Sequence, residues 1–250
     1  LMKTDLLLQS PVVHASRLEA DVLCACLFPE QIDPSLIARL DQGIVNDTLP
    51  SEAWRQLPYL CTVAPDLPFS AQARRTIASM QRHTLARSLV HLTLVSRTAE
   101  ALHDRGMPVV TLKGLPLLDT VYPGASTRPA ADADLLFING ETFAEYAPAL
   151  EELGWSCRNE GTTTSQWRGS SGAEIDVHRF IRDWFCSSML RAGFVRDWRW
   201  VEGQRVRLPV PSAEALMMHV MLHGTLYSPS DTNSRWVLAA ALLLRHTPDL

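Results

Sequence analysis

From Ala71 to Arg105 the sequence contains neither glycine nor proline, and from Met107 it breaks into short β-branched segments separated by turns. A stretch that long without a breaker predicts one continuous helix, with Ser70 as its N-cap and Gly106 as the residue that ends it. Ile77, Met80, Leu85, Leu89, Leu92, Val95, Ala99 and Leu102 recur mostly three or four apart, which predicts a single apolar face. The arginines between them read as a solvated face. Ahead of this helix, Pro11, Pro29, Pro34, Pro50, Pro58, Pro65 and Pro68 divide the chain into short helices.

After Gly106 strands and helices alternate. "PVVTL" (108–112) reads as a strand, and "KGLPLLDTVYPG" as a turn entering a short helix that Pro123-Gly124 stops. "ADADLLFI" (131–138) is a second strand, and "ETFAEYAPALEELG" a helix with Pro148 inside it and Gly154 at its end. "WSCRN" resumes as strand, while "TTSQWRG" and "AEIDVHRF", joined by "GSSG", form a hairpin. Ser212 then caps "AEALMMHVMLHGTL", and "SRWVLAAALLLRH" is the last helix. The expected class is α/β (α+β), a mixed sheet with helical regions at both ends rather than a doubly wound sheet. The expected organisation is a helical region over 1–105, a core over 106–210 and C-terminal helices over 211–250.

Composition removes several functions. With 250 residues, 46% hydrophobic and 20% charged, the chain is globular rather than disordered. A net charge of −4 and a pI near 6.1 argue against a generic polyanion binder. The five cysteines form no C-x-x-C, and Cys24 and Cys26 are too close for a usual zinc pair, so reduced thiols and a cytoplasmic location are expected. Leu6–Leu8 is too short for a secretory signal, and "WVLAAALLL" (236–244) is too short to span a bilayer, so neither a leader nor a membrane partner is expected. The sequence reaches Leu250 soon after its last helix, an ending compatible with a longer natural chain.

Three features carry chemistry. Lys113-Gly114 stands between a strand and a helix, where glycine permits a tight turn and the free N–H groups and the lysine charge favour a phosphate. Asp132 and Asp134 alternate onto one strand face and supply the oxygens that a hard divalent cation prefers. Glu174, Asp176 and His178 share one face of a later strand, and pairing of the two strands would make Asp176 a third carboxylate over the same site. His219 and His223 lie at helical i, i+4 spacing without the Glu of a zinc-protease helix, and read as a helix-face pair. From Arg158 to Arg207, nine arginines and six carboxylates are interleaved with Trp167, Trp184, Phe185, Trp198 and Trp200. That segment reads either as a surface for an acidic peptide or single strand, or as structural Arg–Trp stacking.

"VVTLKGLPLLDTVYPGASTRPAADADLLF" followed by "EIDVHR" resembles the uncharacterised nucleotidyltransferase family of the DNA polymerase beta-like nucleotidyltransferase superfamily. The close match covers about 105–180, with looser similarity through the last two helices. The resemblance implies that Lys113, Gly114 and Arg128 face the triphosphate of an NTP substrate, and that Asp132, Asp134 and Asp176 are catalytic and bind Mg²⁺ or Mn²⁺. It admits several acceptors, with a peptide or protein favoured over nucleic acid because relatives lie beside genes for ribosomally made peptides. Ala239 and Ala240 stand where the family usually carries an Asp, so no support from that helix is expected. The rival reading is a catalytically degenerate nucleotide-binding or protein-interaction module, against which stands the presence of all three carboxylates.

Overall fold

The computed structural model describes residues 15–130, 132–139, 142–179, 196–226 and 234–247. In chain order its helices and strands are α1 (Arg17–Leu27), α2 (Pro34–Asn46), α3 (Ser51–Val63), α4 (Ala71–Asp104), β1 (Val109–Leu112), α5 (Gly114–Thr120), β2 (Ala133–Phe137) and α6 (Phe143–Glu152). Then follow β3 (Trp155–Glu160), β4 (Thr164–Gly169), β5 (Glu174–His178), β6 (Arg199–Glu202), β7 (Arg207–Val210), α7 (Ala213–Leu226) and α8 (Arg235–His246). No helix among the described residues is long and apolar enough to cross a membrane. The chain divides into two compact units: Leu1–Ala86 with Val121–Pro129 and Val220–Leu250, and Arg87–Thr120 with Ala130–His219.

The first unit is helical because its sequence caps helices where prolines break them. Ser16 and Glu19 form a reciprocal capping box at the start of α1. Asp33 caps α2 ahead of Pro34. Buried Leu23, Leu36, Leu40, Leu57 and Leu60 supply its core. Arg235 on α8 pairs with the buried Glu52 at 3.1 Å, and Ser234 accepts from Gln56 at 2.8 Å.

The second unit is built on a five-stranded sheet in the order β1-β2-β5-β4-β3. Only β2 and β5 run parallel; the other neighbours are antiparallel. One face carries Phe137 stacked on Tyr146 at 4.7 Å and Phe143 stacked on Trp167 at 5.7 Å, with Ser165 hydrogen-bonded to both Tyr146 and Trp167. Trp167 is therefore core, which corrects its reading as part of a binding surface. On the opposite face Val110, Leu112, Leu136 and Ile138 pack with Ala215. Trp200 lies under Arg207 at 4.9 Å, the structural stacking alternative, while Trp184 and Phe185 lie outside the described residues.

Two features depart from the sequence reading. Leu85 and Leu89 on α4 are exposed, and Thr84, Ser88 and His91 are buried in their place. At 3.6 residues per turn, Thr84, Ser88 and His91 lie within about 40° of the line through Ile77 and Val95, whereas Leu85 and Leu89 lie about 80–120° from it. The second departure is the hairpin β6–β7, concealed in the sequence by Pro209 within its second strand. Its turn is pinned by Asp119 of α5, a buried carboxylate that accepts from the N–H groups of Arg205 and Val206 and pairs with Arg205 at 3.5 Å. Burial pushes the Asp119 carboxyl above its ordinary value, against those hydrogen bonds.

Gly203 makes this approach possible, since a Cβ there would lie 1.8 Å from Asp119 Oδ2. Gly203→Ala is expected to destabilise the protein by about 1–3 kcal/mol, the usual cost of overpacking, read as a lowered urea midpoint at unchanged slope. A midpoint equal to that of the parent protein would show that the hairpin does not depend on this contact.

Candidate active site

The sheet register assembles the acidic cluster. Asp134 on β2 stands directly opposite Asp176 on β5, and Asp132 is exposed just before β2 begins. On β5 the burial alternates: Ile175 and Val177 are fully buried, while Glu174, Asp176 and His178 turn the other way. A slip of one residue would bury Asp176 and expose Ile175, so the hydrophobic pattern fixes the register.

Lys113 completes the cluster from β1. Leu112 is the antiparallel partner of Asp134, and Lys113 follows it immediately. The expected tight-turn residue was Gly114, yet the left-handed backbone falls on Lys113, with φ of 54°. For an L-residue that conformation costs about 1–2 kcal/mol, and such strain clusters at functional sites. What offsets it is the charge-assisted contact of Lys113 Nζ with Asp134 Oδ1 at 2.6 Å. The helix that follows, α5, has only seven residues, so the lysine charge rather than a helix terminus dominates the local field.

Asp134 itself is buried, and burial alone would push its carboxyl up; the ammonium of Lys113 and the hydrogen bond from His178 outweigh that and hold it well below the usual carboxylate range. Asp176 behaves in the opposite way. Burial raises its carboxyl, and the charges of Asp134 and Asp132 raise it further. The two facing carboxylates thus have different characters, one locked as an anion and the other strained as one.

Two histidines join the cluster. His178 Nε2 lies 2.8 Å from Asp134 Oδ1, a reach across strands that alternation on β5 alone could not reveal. His91 of α4 is buried, accepts from the N–H of Glu174 at 3.3 Å and faces the carbonyl of Arg87 at 3.1 Å. Burial lowers the pKa of His91, and its neutral ring ties the helix to the start of β5. No sequence signal distinguished His91 from the apolar face expected around it.

The remaining predicted residue, Arg128, belongs to the first unit. Its guanidinium lies 5.6 Å from the Tyr122 ring, and its Nη1 is buried without a hydrogen-bond partner among the described residues. A buried donor in that condition is costly unless an anion satisfies it.

The acidic cluster fits a hard divalent cation in donor chemistry, because it offers carboxylate oxygens whose mutual repulsion already raises Asp176. Among the described residues no group of three His, Cys, Asp or Glu side chains is drawn to ligand spacing. Mg²⁺ is commonly held by one or two carboxylates together with substrate phosphates rather than by a closed protein cage.

A family model described as uncharacterised nucleotidyltransferase matches residues 34–250. No curated protein sequence matches the chain. Among solved structures, the chain is similar to the lincomycin-bound lincosamide antibiotic adenylyltransferase LnuA, with 10% identity over 60% of this chain and 94% of that one and a TM-score of 0.41. It is similar to the antibiotic-resistance factor ANT(2'')-Ia, with 15% identity over 63% and 84% and a TM-score of 0.45. A nucleotidyltransferase-like antigen of Paracoccidioides brasiliensis gives 12% identity over 65% and 77% and a TM-score of 0.47.

The opposed shifts make Asp134 and Asp176 separable by pH. A lowered carboxyl contributes stability that is complete above the ordinary aspartate value near ~3.9 and is lost as pH falls through its folded value. A raised carboxyl contributes below that ordinary value and loses its contribution as pH rises through its folded value. At neutral pH without metal, Asp134→Asn should destabilise by roughly 3 kcal/mol, the low end for breaking a buried pair. Asp176→Asn should stabilise, with the gain vanishing below ~3.9. Denaturation midpoints against pH read both, and a destabilised Asp176→Asn at neutral pH would contradict the assignment.

Proposed function

The chain belongs to the family of uncharacterised nucleotidyltransferases, and on that premise we propose that it moves a nucleoside monophosphate from an NTP to an acceptor hydroxyl or phosphate in a Mg²⁺-dependent reaction that releases pyrophosphate. The observation that supports this reading most directly is the pairing of Asp134 with Asp176 across the β2–β5 ladder, with Asp132 two residues ahead. In this reading the chemistry resides in the core over 106–210.

Asp132, Asp134 and Asp176 would hold the cation, which when bound neutralises charge on the reacting phosphate and holds it for in-line attack. Lys113 exchanges its carboxylate partner for a phosphate oxygen when the nucleotide arrives, relieving the cluster of its internal counter-ion. Gly114 leaves room beside it for the triphosphate. Arg128, which the family resemblance also assigns to the nucleotide, keeps a buried donor without a partner among the described residues. Asp176 takes the proton of the acceptor hydroxyl as the oxygen bonds to the α-phosphorus, and the bond from that phosphorus to the β-phosphate oxygen breaks. The hydrogen bonds of Lys113 and His178 go to Asp134, which leaves Asp176 as the member of the pair to take the proton. Most of the rate comes from positioning and charge neutralisation.

For the acceptor, a peptide or protein is favoured over nucleic acid, consistent with a net charge of −4. A cytoplasmic location belongs to the same reading, supported by Cys26, Cys61 and Cys157, which form no disulfide among the described residues.

Pyrophosphate release from each NTP with Mg²⁺, alone and with candidate acceptors, tests the reaction. Asp132→Asn and Asp134→Asn should each reduce turnover by at least about a hundredfold, the scale for losing charge stabilisation of a transition state, with the fold retained by circular dichroism. Lys113→Ala should raise the KM for NTP. Near-parental turnover in both aspartate variants would overturn the proposal, and unchanged nucleotide affinity in Lys113→Ala would return the turn to a structural role.

A further inference from the structure

His178 closes the face that carries Asp176, and its ring bridges two neighbouring strands. Pairing sets it opposite Thr164 on β4 and opposite Leu136 on β2. Its Nε2 lies 2.8 Å from Asp134 Oδ1, and its Nδ1 lies 3.2 Å from Thr164 Oγ1. An ionised carboxylate only accepts, so Nε2 must carry the hydrogen. In the neutral ring Nδ1 is then an acceptor, and the Thr164 hydroxyl donates to it. Both ring nitrogens are engaged, and only 17% of the side chain is exposed.

Among the described residues the side-chain hydrogen bonds of Asp134 end on Oδ1, from Lys113 and from His178. The two donors differ in permanence. Lys113 is a point charge on a flexible stem, able to leave for a phosphate. His178 is a planar ring held at both ends on a β-strand. We infer that His178 is a positioning residue, which fixes Oδ1 of Asp134 and so leaves Oδ2 as the oxygen offered to a cation, with Thr164 fixing the ring. The inference rests on the reading of Asp134 as a cation-binding carboxylate, and it adds the chain Thr164–His178–Asp134 to that site. Outer partners of this kind orient a ligand and typically change metal affinity or activity by about 10–100-fold when removed.

The test measures Mn²⁺ binding to the purified protein without nucleotide, by electron paramagnetic resonance, beside kcat and KM for NTP. His178→Leu should weaken Mn²⁺ binding by about 10–100-fold and lower kcat, with the KM for NTP changed far less. His178→Gln, whose amide can still donate to Asp134, should recover most of both. Thr164→Val should give a smaller loss that does not add to that of His178→Leu, because the two act through one ring. Wild-type Mn²⁺ affinity and kcat in His178→Leu would overturn the inference, as would a Thr164→Val effect fully additive with it. Should His178→Leu fail to fold, the Gln and Thr164 variants decide the matter by the same readouts. Asp134→Asn separates the two levels: lost Mn²⁺ binding there beside intact binding in His178→Leu overturns only the role of His178. Intact binding in Asp134→Asn overturns the metal reading and the inference together.

Discussion

The parallel contact between β2 and β5 is the constraint on which the site depends. Every other neighbouring pair in the five-stranded sheet is antiparallel, and this one places Asp134 directly against Asp176. Two carboxylates in that relation repel each other, and a stable fold must either compensate or separate them. Lys113 does the compensating from the end of β1, in a left-handed backbone conformation that only a strong local contact would maintain. Strain in the turn and repulsion in the ladder are therefore two sides of one arrangement.

That arrangement divides labour between chemically identical residues. Asp134 is buried, with Lys113 and His178 on one oxygen, and stays ionised far below the ordinary range. Asp176 lies opposite with less compensation and is raised by its neighbours. A pair whose environments push the two carboxyls apart is the pattern from which acid–base roles arise at a single site. The aromatic layer of Phe137, Tyr146 and Trp167 on the other face holds the ladder rigid, so these distances rest on a packed core.

Much of this was legible in the sequence because strand alternation is a strict rule. Asp134 and Asp176 could be assigned to faces before any coordinates, and Ile175 and Val177 fixed which face of β5 was buried; Asp132, expected on the same strand face as Asp134, stands ahead of β2 instead. The five strands of the main sheet were marked by short apolar or alternating runs bounded by turn residues. What escaped depended on tertiary contacts that have no local signature. Asp119 looks like any polar residue of a short helix, yet it caps the turn of a hairpin far along the chain. His91 is not among the apolar positions that the periodicity picked out, and its partner is a backbone N–H on another element. The left-handed backbone went to Lys113 rather than to Gly114, because a contact energy overrode the conformational preference.

The most direct measurement is a crystal structure of the protein grown with Mn²⁺ and a non-hydrolysable NTP analogue, using the anomalous signal of manganese. The account predicts a peak among the carboxylates of Asp132, Asp134 and Asp176, with Lys113 Nζ moved from Asp134 to a phosphate oxygen. A nucleotide bound with its phosphates away from these carboxylates, and Lys113 still on Asp134, would contradict it.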